Sequence, residues 1–399
     1  MSKRIFVTGI GIISGIGNNI EETLQSILDG KTGVGKITHL ETFHKDTIPV
    51  SEVKYSNEEL IELMGLNKKD PFTRATLMGI VAADEAVKSA GIKNINDYRT
   101  GVISGTTVGG MDKSEQFYHD FLTAGEHIEY IESHDCGDST ERIADYVGVK
   151  DFVSTTSTAC SSAANSIMFG ARLIKNNRLD RVIAGGTESL TKYHLNGFNT
   201  LMILDREQCK PFDENRKGLN LGEGAAFVVL ESEDIVRETG KKVFCELTGY
   251  GNACEAFHQT ASTPEGKGAY LAMKKALDRS GLKPEQIDYI NAHGTGTENN
   301  DISEGRAIET LFGKTPPPVS STKSFTGHTT SAAGAIEAVL SVLAIQHNLI
   351  YPNMNFNQQM KELSFRPVTE LLTNVKVDHV LSNSFGFGGN NSALIFSRY

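Results

Sequence analysis

The 399-residue sequence predicts an α/β architecture built twice over, on three observations. Short apolar runs of strand length alternate with longer helical patterns almost from end to end. No low-complexity segment or linker separates them. The opening run Arg4-Ile-Phe-Val-Thr-Gly-Ile-Gly is echoed by Val243-Phe-Cys-Glu-Leu-Thr-Gly-Tyr-Gly, which divides the chain into halves at 1–240 and 241–399. Two ordinary strands that both end in glycine would produce the same echo.

In chain order the strands are expected at 5–8, 101–104, 152–155, 181–184, 225–230, 243–250, 287–292, 319–321, 379–383 and 393–396. Between them, 72–90 carries Met78, Ala82 and Ala86 at i+4 spacing, and 161–175 opens on small residues. The helical pattern at 268–280 is closed by Gly281. The segment 331–346 is apolar all round apart from Glu337 and reads as a central, buried helix. The start, Lys3-Arg4 and an apolar run, imitates a signal peptide, but Thr8, Gly9 and Gly11 interrupt it and a first strand fits better.

Composition narrows the function. With 49 acidic against 39 basic side chains the net charge is −10, which argues against nucleic acid or an anionic membrane as partner. Five cysteines at irregular spacing suggest neither a disulfide framework nor a zinc site. No apolar run approaches the ~18 residues that a membrane span requires. A cytoplasmic enzyme is expected.

Ligands of open α/β sheets bind beyond the carboxyl ends of strands. Four such places carry reactive residues: Thr158-Ala-Cys160-Ser-Ser, Asn291-Ala-His293-Gly-Thr295-Gly-Thr297, Lys323-Ser-Phe-Thr-Gly-His328 and Phe385-Gly-Phe387-Gly-Gly. Cys160 precedes a small-residue helix, whose N-terminus favours a thiolate nucleophile. A buried cysteine acting as a small apolar residue is the alternative. His293 and His328 each follow a strand of their own, and a lone loop histidine is as often solvated or structural. Together the three suit an acyl thioester on sulfur, with imidazole N–H groups stabilising charge on a second thioester's oxygen. Metal binding is the rival use, but a carboxylate at ligand spacing is missing, so no metal is expected. Glu337 on its apolar helix requires a counter-charge, for which Lys323 is the obvious residue unless Glu337 snorkels outward. The run Gly386-Phe387-Gly388-Gly389 offers N–H groups for an oxyanion site. The turn Gly9-x-Gly11-x-x-Ser14 lacks the third glycine of a dinucleotide fingerprint, and no strand ending in an acidic residue follows at the required distance.

From Val7 to Asn391 the chain resembles the elongating, type II β-ketoacyl-acyl-carrier-protein synthases of the thiolase superfamily. The motifs are Thr158-Ala-Cys-Ser-Ser, Ala184-Gly-Gly-Thr-Glu188, Pro211-Phe-Asp, Gly222-Glu-Gly-Ala, His293-Gly-Thr-Gly-Thr, Lys323-x-x-x-Gly-His328 and Asn383-Ser-Phe-Gly-Phe-Gly-Gly. The resemblance implies a duplicated, five-layered αβαβα thiolase-like fold with two mixed sheets, working as a homodimer or, alternatively, as one subunit of a heterodimer. It implies that Cys160 takes an acyl chain from the phosphopantetheine of acyl carrier protein, with no bound cofactor. His293 and His328 would promote decarboxylation of malonyl-carrier. Lys323 and Glu337 fall where relatives orient the second histidine, and some relatives hold a monovalent cation there. Thr295 and Thr297 match residues that bind the pantetheine arm, Phe387 a gate whose N–H joins that of Cys160 in an oxyanion hole, and Val108 and Phe385 substrate-lining positions. Lys68, Lys69 and Arg74, with Arg206 as a further candidate, fall where relatives dock the acidic carrier, although each is equally an ordinary solvated charge.

The chain also departs from the family pattern. Asp151-Phe-Val, Lys217, Glu298-Asn-Asn, Asn390 and the polar stretch 133–142 differ from most relatives. They leave fatty acid, polyene and polyketide-like elongation open. A CoA thiolase is the rival enzyme, but its second, C-terminal cysteine is missing, because no Cys follows Cys254. A chain-length factor would lack the nucleophile that Cys160 supplies.

Overall fold

The structure is a computed structural model that describes residues 3–399. All ten expected strands form. The first half supplies β1 (Ile5–Ser14), β2 (Thr100–Gly105), β3 (Phe152–Thr156), β4 (Arg181–Glu188) and β5 (Gly224–Ser232). The second supplies β6 (Cys245–Cys254), β7 (Tyr289–Asn291), β8 (Val319–Ser320), β9 (His379–Gly386) and β10 (Asn390–Ser397). Several run longer than their apolar cores suggested. In β4, for example, Gly185 and Gly186 continue the ladder to Glu188 because the backbones of neighbouring strands press against them where a side chain would stand.

The spatial order is β3-β2-β4-β5-β1 in the first half and β8-β7-β9-β10-β6 in the second, the same permutation. Strand directions repeat as well: the second strand runs parallel to the third and fourth, and the fifth is antiparallel to the fourth and first. The two mixed sheets meet edge to edge at a short antiparallel seam, Phe6 with Glu246 and Val7 with Cys245, so hydrogen bonding runs through all ten strands.

Four helices complete the layers: α1 (Arg74–Ser89), α2 (Ser162–Lys175), α3 (Lys267–Ser280) and α4 (Ala333–His347). α1 covers the outer face of the first half and α3 that of the second. α2 and α4 pack against each other and against strands of both halves, forming the middle layer. Ile167, Val339 and Leu343 are fully buried there, each stabilising by about 1.5–3 kcal/mol relative to exposure. The sequence echo has a packing cause. Gly9 and Gly11 lie against the carbonyls of Ala86 and Ala82 on α1, and Gly249 and Gly251 lie against those of Ala276 and Ala272 on α3. Any side chain at these four positions would push the outer helix off its sheet. Among the described residues no helix is long and apolar enough to cross a membrane.

Candidate active site

Cys160 ends a tight loop after β3. Ala159 takes a left-handed conformation at φ +53°, and α2 begins two residues beyond the cysteine. A side chain on Gly386 would come within 3.0 Å of the Cys160 nitrogen, so glycine lets the loop after β9 close over the thiol. His328 follows Gly327, and its backbone N–H donates to the Asn220 carbonyl at 2.7 Å. Its Nε2 lies 3.0 Å from Cys160 Sγ. His293 leaves β7 with its N–H on Glu304 Oε1 at 2.8 Å, while Gly294 N–H donates to Glu304 Oε2 at 2.7 Å. The two imidazoles stand 5.3 Å apart between centroids at 87°.

Behind them, Lys323 Nζ donates to the His293 carbonyl at 2.6 Å, lies 3.3 Å from His293 Nδ1 and pairs with Glu337. Glu337 therefore does not snorkel. It is 2% exposed and carries its counter-charge with it. Lys323 acts on His293, not on His328 as the resemblance implied, because the β8 loop delivers its ammonium to the end of β7.

Burial sets the electrostatics. It pushes the Cys160 thiol up to about 12, against the lowering effects of the Lys323 charge and the N–H groups of Phe387 and Cys160. The helix N-terminus thus does not yield a resting thiolate, because desolvation of the anion outweighs it. Both imidazoles are held well below their ordinary value by burial, and next by the Lys323 charge. Glu337 rises to about 7 by burial, opposed by Lys323. At neutral pH the site is a neutral thiol on a neutral imidazole.

Cys160, His293 and His328 form the inner end of a cavity of about 370 Å3. Thr295 and Thr297, whose hydroxyls are 2.9 Å apart, line its wall with Phe385 and Phe387. Phe385 lies 5.8 Å from the His293 ring, and Phe387 stacks on Phe198 at 5.7 Å. Met202, 87% exposed, marks the mouth with Lys217 and Asn299. Val108 does not line this cavity. Its loop folds onto the Glu188 carboxylate instead, and the adjoining Gly109 packs on His134 and Cys136. Among the described residues no group of three or more His, Cys, Asp or Glu could hold a metal ion.

Arg74 is not a docking residue. It is 8% exposed and its guanidinium is spent on Glu223 at 2.6 Å and on the Val53 and Tyr55 carbonyls. Lys68, Lys69 and Arg206 are exposed. Sequence reasoning missed Phe198, Met202, Asn220 and Glu304. Glu304 carried a signal: it shares a helix face with buried Asp301 and Ile308, a carboxylate at a core position like Glu337. Phe198 and Asn220 carried none, since their roles depend on contacts across the fold.

Residues 2–234 match the Beta-ketoacyl synthase, N-terminal domain, and residues 244–357 the Beta-ketoacyl synthase, C-terminal domain. The chain is 34% identical over 413 residues to 3-oxoacyl-[acyl-carrier-protein] synthase 2 of Staphylococcus aureus (strain N315), covering 100% of this chain and 99% of that one. Among solved structures, the ishigamide ketosynthase/chain length factor superposes with a TM-score of 0.94 at 30% identity, covering 100% of both chains. The ketosynthase ApeO in complex with its chain length factor ApeC from Xenorhabdus doucetiae gives 0.87 at 30% identity, covering 100% of this chain and 98% of that one. A duplicated thiolase-like fold with one thiol facing two imidazoles defines a class of enzymes that work on thioesters. This chain belongs to the β-ketoacyl synthase family.

Proposed function

We propose that this enzyme lengthens carrier-bound acyl chains by decarboxylating Claisen condensation with malonyl-acyl-carrier protein, giving 3-oxoacyl-carrier. One observation carries the reading: a sulfur 3.0 Å from one imidazole, with a second imidazole 5.3 Å from the first between ring centroids, all three lining one cavity. In the first half-reaction Cys160 Sγ attacks the acyl thioester. As the bond to the pantetheine sulfur breaks, the thiol proton goes to that departing sulfur, and His328 keeps its Nε2–H, which donates to Cys160 Sγ while negative charge develops there. The N–H groups of Cys160 and Phe387 receive the developing oxyanion.

In the second half-reaction malonyl-carrier loses CO2 and becomes an enolate without any external base. His293 and His328 donate to the enolate oxygen, which is where charge develops in the transition state. The carbanion attacks the acyl carbonyl, the bond to sulfur breaks, and the Cys160 thiolate takes one proton from solvent, the proton that the overall reaction consumes. Lys323, held by Glu337, fixes His293 from behind. Thr295 and Thr297 grip the pantetheine arm. Among the described residues Glu337 Oε2 is a buried oxygen without a hydrogen-bond partner, an atom that could meet a monovalent cation. Lys323 already balances that carboxylate, and no step above uses a cation.

The carrier docks on exposed basic residues, with Lys68, Lys69 and Arg206 as candidates. A homodimer is the working arrangement. A heterodimer with a chain-length-factor-like subunit is the second reading, favoured by the two solved ketosynthases above, each described with a chain length factor. Native mass measurement of the purified chain separates the two. The chemistry is tested by intact mass spectrometry after incubation with acyl-carrier. One acyl adduct that vanishes in Cys160→Ser is expected, and an adduct that persists elsewhere ends the proposal.

A further inference from the structure

Glu188 closes the motif Ala184-Gly-Gly-Thr-Glu188, yet it touches neither the thiol nor the cavity. Its side chain is fully buried, and among the described residues no ion pair includes it. A buried carboxylate without a cation persists only where hydrogen bonds replace its water. Five donors do so here. Thr106 Oγ1 donates at 2.9 Å, Thr107 N–H at 2.9 Å and Val108 N–H at 3.4 Å, and the hydroxyls of Thr107 and Ser331 also donate. Four of these donors sit on the loop after β2 in the first half. The fifth, Ser331, comes from the second half, three residues beyond His328.

That fifth bond matters because of how His328 is held. Its Nε2 meets Cys160, but its Nδ1 is buried and, among the described residues, has no protein partner. No described side chain or backbone group therefore fixes the ring from its far side, and the backbone of His328 does so. On one side Asn220 and Gly222 pin the His328 peptide. On the other the chain passes through Thr330 at φ +44°, a conformation that a β-branched residue keeps only when its surroundings enforce it. Ser331 on Glu188 is the side-chain restraint immediately after that residue.

We propose that Glu188 is a positioning residue, which ties the loop after β2 to the Thr329–Ser331 turn and thereby aims the His328 imidazole at the sulfur. This rests on the role given to His328 above.

The test uses the full-length enzyme with Ser331→Ala, Ser331→Thr and Glu188→Gln. Condensation, Cys160 acylation, melting temperature and the pH profile of Cys160 alkylation by iodoacetamide are read together. Ser331→Ala should lower kcat for condensation on the order of 10- to 100-fold at similar KM. It should also displace the alkylation profile while melting close to the parent. Ser331→Thr, which keeps the hydroxyl, should restore both, and Glu188→Gln should reproduce the Ser331→Ala defect or exceed it. Alkylation needs no substrate, so a displaced profile in an enzyme that never condenses would uphold the positioning role while ending the condensation reading. Unchanged kcat and an unchanged profile in Ser331→Ala would overturn the proposal. So would a uniform loss that tracks melting temperature and is not rescued by Ser331→Thr, since that is the mark of a merely structural contact.

Discussion

The two halves share one strand order and one set of strand directions, yet the same strand ends carry different chemistry. After the third strand the first half places Cys160, whereas the second places Lys323 and then His328. After the second strand the first half has Thr106 to Val108, against His293 in the other. The fourth strand ends in buried Glu188 in one half and runs into Phe385 and Phe387 in the other. Duplication thus supplied six equivalent positions around one interface. The first half uses them for a nucleophile and its support, the second for donors, a counter-charge and a gate. The reacting atoms meet because α2 and α4 bring the two halves back to back.

The largest expected effect falls on the first half. Cys160→Ser should abolish acylation as read by intact mass, which would leave the second half with no reaction to assist. Next, His293→Ala or His328→Ala should cut CO2 release from malonyl-carrier by roughly 10²–10⁴-fold, measured with labelled malonate, while sparing part of the self-acylation. If acylation falls and CO2 release does not, the division of labour between halves is wrong.

The buried ion pairs sharpen the comparison. Arg74→Met strands Glu223 and should cost about 3–5 kcal/mol in urea unfolding, with the acylation rate of the remaining folded enzyme intact. Lys323→Met should cost stability and decarboxylation together, because its pair with Glu337 also holds His293.

Acid and alkali should separate the halves as well. His293 and His328 stay neutral in the fold well below 6.5, so on acidification the unfolded chain takes up protons first. Stability therefore declines as pH falls below about 6.5, and a double His→Asn variant should flatten that decline in melting temperature. Cys160 works in the opposite direction. With its folded value raised from 9.0 to about 12, the unfolded chain loses the proton first. Stability declines as pH rises above about 9, less so in Cys160→Ala. The smallest effect belongs to the surface. Reversing Lys68 and Lys69 to Glu should raise KM for carrier a few-fold and leave kcat unchanged, a shift weakened by salt.

Ten strands and the four layered helices were legible because apolar periodicity and glycine placement record burial directly. The strand ends were read short wherever Gly, Ser or Thr continued a buried ladder, as at Gly185 to Glu188. The reactive trio was legible from residue type and position after strands. Its electrostatics were not: Cys160 beside a helix N-terminus suggested an anion, and only its burial shows that desolvation wins. Arg74 could not be told from a solvated cation until Glu223, 149 positions away, was seen against it.

The sequence by itself determined the alternation, the Cys-His-His set and the need of Glu337 for either a positive partner or a path to solvent, since each is written in local pattern and residue chemistry; the repeat became certain only with the shared strand order. Tertiary structure alone decided which histidine meets the sulfur, which one Lys323 serves, and that Glu188 joins the two halves. Those are distances between segments far apart along the chain, and no local propensity encodes them.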